Sequence, residues 1–156
     1  MRQKAVLDTS FLIEHFRKGT VQEIFLNLNK YYHVTFSTVV LMELLSGAFD
    51  KKEQKLIGQI KKNFTIISVT ERQWYLAGDI MLKLRRDKKI DPLRIRSLLA
   101  DILLAVSVRD GGAVLITKND TIAMNMRQAG ETCEKGIVIM TSGDACPTRH
   151  IRRARL

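Results

Sequence analysis

Short apolar runs alternate with amphipathic stretches along this chain, and each change of period marks an element. Ala5-Val6-Leu7 is an unbroken apolar triplet, the pattern of a strand buried on both faces. Thr9 or Ser10 then offers a helix N-cap, followed by Phe11, Leu12, Ile13 and Phe16 at helical spacing and by Gly19 as a stop. Thr20 opens a second helix with Val21, Ile24, Phe25 and Leu28 on one side. Val34-Thr35-Phe36 predicts a second strand. Ser37 or Thr38 caps the helix that carries Glu43 to Ser46-Gly47. A polar helix is expected over 50–62 with Leu56 and Ile60 one turn apart, then a third strand over 64–69. A longer helix starts near Thr70 with Trp74, Ala77, Met81 and Leu84 in phase, and Asp91-Pro92 breaks the pattern. A buried helix over 98–108 ends at Gly111-Gly112, and a fourth strand over 113–117, a short helix over 121–128 and a fifth strand over 137–140 complete the order.

Strands alternating with helices through short connections predict an α/β fold with a mainly parallel sheet of about five strands. The 156 residues suit one domain, here 1–142. From Ser142 the segment SGDACPTRHIRRARL loses apolar periodicity, so 143–156 reads as a basic extension.

Charge changes the picture most. Lys and Arg outnumber Asp and Glu by 26 to 16, a formal net charge of +10 that favours polyanionic partners. The densest basic stretch is Lys83, Arg85, Arg86, Lys88 and Lys89 with Arg94 and Arg96 beyond, and Arg149, Arg152, Arg153 and Arg155 form a second. Each is either a phosphate track or an ordinary solvated helix end or tail. Cys133 and Cys146 lack metal or disulfide spacing and fit a reducing cytoplasm. No apolar run approaches the roughly 20 residues that span a bilayer, and the start Met1-Arg2-Gln3-Lys4 predicts no cleaved leader. A cytoplasmic protein without a membrane segment is expected.

Against this basic background, four acids stand within or just after apolar runs: Asp8, Glu43, Asp101 and Asp120. A desolvated carboxylate is costly unless it is paired or holds a cation. Ligands of open parallel sheets collect at the carboxyl ends of the strands. Asp8 closes the first strand and Asp120 follows the fourth, while Glu43 and Asp101 lie on flanking helices. Convergence there would give an all-oxygen set suited to Mg²⁺ or Mn²⁺. The three histidines have no zinc-ligand spacing. Each acid also has an ordinary reading. Asp8 can be an N-cap or turn residue, Glu43 can reach solvent or a lysine, Asp101 can pair with Arg94 or Arg109, and Asn119-Asp120 is good turn chemistry. Phosphoryl transfer through an Asp8 nucleophile is disfavoured, because Asp8-Thr9-Ser10 lacks a second aspartate two residues on.

The segments KAVLDTSFLIEHF, STVVLMELLSG, LLADILLAVSVRDGG and AVLITKND, in that order, resemble the motifs of PIN-domain nucleases, in particular the small VapC-type toxins of toxin–antitoxin pairs. They span nearly all of residues 4–120. The resemblance implies a Rossmann-like α/β/α sandwich and Mg²⁺- or Mn²⁺-dependent endoribonuclease activity. It matches Asp8, Glu43 and Asp101 to the family's first three acids, Thr117 to the threonine opening its fourth motif, and Asn119 to the Asn or Asp two residues later. It puts Thr9 or Ser10 beside the metal, with Asp120 as a neighbouring candidate for the fourth carboxylate. It also implies an RNA substrate, a small antitoxin partner that docks near the first two helices, and a homodimer. One departure stands out: where relatives often carry another acid and an aromatic, this chain has Ile122, Ala123 and Met124. That departure leaves open a non-catalytic PIN-like RNA-binding or scaffold protein.

Overall fold

The computed structural model describes residues 2–86, 95, 97–117 and 137–139. The strands are β1 (Gln3–Leu7), β2 (Tyr32–Ser37), β3 (Thr65–Ile67), β4 (Val114–Thr117) and β5 (Ile137–Ile139). The helices are α1 (Thr9–Lys18), α2 (Val21–Tyr31), α3 (Thr38–Ser46), α4 (Lys51–Asn63), α5 (Glu71–Arg86) and α6 (Leu99–Asp110). The expected helix over 121–128, the segment 143–156 and the basic residues Lys88, Lys89, Arg94 and Arg96 lie outside the described residues.

All five strands are parallel, in the order β3-β2-β1-β4-β5. The chain steps from β1 to β2 to β3 in one direction, then returns past β1 to lay down β4 on its other side. Right-handed crossovers run in opposite directions put their helices on opposite faces of a sheet. The reversal at β1 and β4 therefore opens a crevice beyond the carboxyl ends of those two strands, the place where such sheets take ligands. Register fixes what stands there: Leu7 pairs with Ile116, and Asp8 N–H continues the ladder by donating to the Ile116 carbonyl at 2.9 Å.

The central elements are apolar on every side. Ala5, Val6 and Leu7 are fully buried, as are Leu115 and Ile116 in β4. Helix α6 is buried continuously from Ile102 to Val108, and Ser107 within it turns its hydroxyl back to the Leu104 carbonyl at 2.9 Å. Phe36 of β2 packs edge-on against Phe25 and Phe64, with ring centroids 5.9 and 5.1 Å away. Gly19 takes the left-handed conformation at φ 68°, and its N–H closes α1 onto the His15 and Phe16 carbonyls.

Two helical phases differ from expectation. On α5 the buried positions are Gln73, Ala77, Ile80 and Leu84, whereas Trp74 is 51% exposed. The cause lies at the start of the helix. Thr70 Oγ1 accepts from Gln73 N–H, and Gln73 Oε1 accepts from Thr70 N–H at 2.8 Å, a reciprocal cap that turns Gln73 inward. On α4 the buried pair is Ile57 and Ile60, with Leu56 at the margin. The third strand is also shorter than expected, three residues rather than six.

Two substitutions separate these environments. Phe36→Ala is expected to lower unfolding free energy in urea by about 3–5 kcal/mol, because it empties a closed aromatic cluster. Trp74→Ala is expected to change it by no more than about 0.5 kcal/mol. A large loss at Trp74 would show that the exposed face of α5 is covered in solution.

Candidate catalytic and cation-binding site

Asp8 is the first residue past β1 and the N-cap of α1, so it does two structural jobs before any chemistry. It is 5% exposed. Its Oδ1 accepts from Thr9 N–H at 2.7 Å. Its Oδ2 accepts from the Ser10 hydroxyl at 2.6 Å and from the Thr117 hydroxyl at 2.7 Å. Thr117 is the last residue of β4 and fully buried, so that bond crosses the crevice. Hydroxyl and amide donors satisfy the carboxylate without neutralising it.

Glu43 arrives from α3, whose start is fixed by Ser37 Oγ accepting from Val39 N–H at 3.2 Å. Its Oε2 accepts from the Thr9 hydroxyl at 2.5 Å. Thr9 therefore touches both acids, through N–H on Asp8 and O–H on Glu43. Helix α3 packs on α1 and on α6, which brings the carriers of all three acids together.

Asp101 sits in the first turn of α6, just ahead of the buried run. Burial first, then the charges of Asp8 and Glu43, raise its pKa from 3.8 to about 6. The three carboxylates thus share one electrostatic environment. Among the described residues none of them forms an ion pair with lysine or arginine. Arg109 pairs with Asp110 at 3.3 Å, so it does not serve Asp101.

The ordinary reading holds at Asp8, which is the N-cap of α1, and its second oxygen also receives the Ser10 and Thr117 hydroxyls. Both Thr9 and Ser10 serve the site, each on its own acceptor, where the sequence required only one. The Thr9 contact with Glu43 joins positions 34 residues apart and has no signal in composition or period. Asn119 and Asp120 lie outside the described residues. His15 bonds the Thr20 hydroxyl at 2.7 Å and His33 lies 3.4 Å from that of Thr65, so neither joins the site.

Among the described residues, no three acidic, histidine or cysteine side chains gather closely enough to hold a metal ion between them. What exists is an open arrangement, with Asp8 and Glu43 linked through one threonine and Asp101 within reach of their field. An all-oxygen, anionic and sparsely ligating set fits a small hard cation that keeps several waters. It lacks the histidine and cysteine ligands from which zinc sites are mainly built.

A PIN domain family model matches residues 5–125 of this sequence. The chain belongs to the PIN domain family. Solved structures with the same fold include VapBC2 from Rickettsia felis bound to a promoter DNA fragment, at TM-score 0.64 and 17% identity, covering 88% of this chain and 99% of that one. DNA-bound VapBC from Salmonella typhimurium matches at TM-score 0.57 and 22% identity, covering 88% and 97%. FitAcB from Neisseria gonorrhoeae matches at 0.53 and 15%, covering 85% and 95%. No curated protein matches in sequence. Within this PIN domain, Asp8 stands at the sheet edge where the strand order reverses, and Thr9 ties it to Glu43.

The raised pKa of Asp101 makes stability depend on pH. Its folded value near 6 exceeds the ordinary 3.8, so the folded chain binds the proton more tightly. That contribution is complete below about 3.8 and is lost as pH rises through about 6. In EDTA, Asp101→Asn should therefore raise the melting temperature by a few degrees at pH 7.5 and leave it nearly unchanged at pH 4. Equal shifts at both pH values would show that ionisation of Asp101 carries no strain.

Proposed function

We propose that this chain is a divalent-cation-dependent endoribonuclease and the toxin of a toxin–antitoxin pair, working in the cytoplasm. The observation that carries this reading is the unneutralised trio Asp8, Glu43 and Asp101, set at the carboxyl edge of β1 and β4 in a protein of net charge +10. Among the described residues these three acids form no ion pair with lysine or arginine, which supports a role in holding a cation.

Asp8, Glu43 and Asp101 would hold Mg²⁺ or Mn²⁺, with Asn119 or Asp120 completing the set. Thr9, Ser10 and Thr117 hold the carboxylates still. A bound cation of this kind supplies a polarised phosphoryl oxygen and a more acidic water. The protein's part is to fix the acids and to present positive surface for the phosphodiester chain. In the described residues that surface includes exposed Lys51, Lys52, Lys55, Lys61 and Lys62 on α4, and Lys83, Arg85 and Arg86 at the end of α5.

The antitoxin part of the proposal has its own support. A cavity of about 250 Å³ between α1, α3 and α4 is walled by Ile13, Phe16, Leu44, Phe49 and Ile57, with Arg17, Glu43, Lys52 and Glu53 also lining it. An apolar segment suits it, since its side chains would fill the apolar part of the cavity. The solved VapBC structures are complexes of this kind of chain with a partner. Self-association fits too, with Trp74, Tyr75 and Leu82 giving α5 exposed apolar surface.

Purified protein with Mn²⁺ should cut structured RNA, and EDTA should stop it. Asp8→Asn should reduce cleavage by more than the roughly 100-fold that loss of a ligand's supporting hydrogen bond costs. Mapping the cleaved ends across a transcriptome identifies the substrate. RNA binding without cleavage under any cation would instead support the non-catalytic PIN-like protein.

A further inference from the structure

A carboxylate has about four acceptor positions, two on each oxygen. At Asp8 the hydroxyls of Ser10 and Thr117 occupy both positions of Oδ2, at 2.6 and 2.7 Å. Thr9 N–H occupies one position of Oδ1, which leaves one open. At Glu43, Oε2 receives the Thr9 hydroxyl at 2.5 Å, and Oε1 receives no donor among the described residues. Asp8 Oδ2 is therefore filled, while Asp8 Oδ1 and Glu43 Oε2 each keep one position and Glu43 Oε1 receives no donor among the described residues.

Thr9 has a part in this that Ser10 and Thr117 lack. It is the one described residue that hydrogen-bonds both acids. Its amide nitrogen and its hydroxyl are separated by three bonds and a single torsion, χ1. Branching at Cβ restricts that torsion. The distance between Asp8 Oδ1 and Glu43 Oε2, the two oxygens that Thr9 bonds, is consequently set by one stiff rotamer at the first position of α1. Glutamate has three free torsions, so without this tie the Glu43 carboxylate would sample positions that Asp8 cannot share. Ser10, exposed and bonded to Asp8 alone, imposes no such relation.

We propose that Thr9 is the positioning residue that spaces the Asp8 and Glu43 carboxylates for one divalent cation. This rests on the cation-dependent nuclease reading above. Thr9 does not touch the ion in this scheme. It acts through the two acids, before any substrate is present.

The test measures Mn²⁺ binding without RNA, by the loss of the free-ion paramagnetic resonance signal, in wild type, Thr9→Val, Thr9→Ala, Thr9→Ser and Asp8→Asn. Thr9→Val keeps the branched shape and loses the hydroxyl, and Thr9→Ala stands in if the valine fails to fold in a thermal melt. Loss of the hydroxyl should weaken Mn²⁺ binding by about 10–100-fold, while Thr9→Ser should stay within about threefold of wild type. In RNA cleavage, the hydroxyl-deficient variant should need more Mn²⁺ for half-maximal rate and should recover most of its rate when Mn²⁺ is saturating. Wild-type affinity in the folded valine or alanine variant would overturn the role of Thr9 and leave the nuclease reading standing. Serine behaving like valine would overturn it as well. Absence of Mn²⁺ binding by wild type, with Asp8→Asn indistinguishable from it, would overturn both.

Discussion

The bond from the Thr117 hydroxyl to Asp8, with the Asp8 amide on the Ile116 carbonyl beside it, closes the crevice between β1 and β4 at one residue. Much of the site depends on that closure. Parallel strands do not otherwise exchange side-chain contacts at their ends, and a strand order that reverses leaves a gap there. Asp8 spans it from the buried side: its backbone extends the ladder, its carboxylate caps α1, and its second oxygen ties to β4. The same residue is therefore needed to begin a helix, to end a strand pair and to present an anion. Removing its charge while keeping its shape, as asparagine does, separates the last of these from the first two.

The arrangement is held against an electrostatic cost. Asp101 lies close enough to Asp8 and Glu43, and far enough from water, that its proton is released only near pH 6. Neutral donors fix the other two acids without offsetting their charge. Hydrogen bonds to hydroxyls and an amide give position, whereas a lysine in the same place would give neutrality and close the site to cations. A surplus of 10 positive charges surrounds this small anionic point, so a polyanion is drawn to the surface as a whole and only a cation is drawn to its centre. The two attractions are complementary in a phosphodiesterase.

The parts of this that the sequence shows are those carried by local pattern. Ala5-Val6-Leu7 followed by Asp8 needs no distant information, because an apolar triplet ending in a capping acid defines both a buried strand and the helix after it. Asp101 ahead of the apolar run Ile102-Leu103-Leu104 is visible in the same way. Other features arise from partners that a linear pattern does not contain. On α5, Ala77 and Leu84 are buried as expected, but Gln73 and Ile80 take the places expected for Trp74 and Met81, because Gln73, polar by type, is drawn inward by its cap with Thr70 and by its amide on Asp110 at 3.4 Å. The tie from Thr9 to Glu43 joins α1 to α3, and Thr9 looked no different from Ser10 until its partner was known. Ile57 displaced Leu56 from the buried side of α4 because the packing of α4 on α3 sets the rotation, and two adjacent apolar residues cannot encode it.

The open form of the acid set has a consequence for how tightly it can work. A closed cage would bind a cation strongly in the absence of substrate and would release it slowly. In the proposed nuclease, three carboxylates that do not by themselves enclose an ion would leave coordination positions to water and to an incoming phosphate. Affinity for the ion would then rise when the polyanion is present, because substrate oxygens would supply part of the shell. In such a site the spacing of the few protein ligands matters more than their number, since each one missing or misplaced removes a large share of the protein's hold. A stiff threonine between the first two acids, at the first turn of a helix whose own start is one of those acids, is the shortest connection this fold has for setting that spacing.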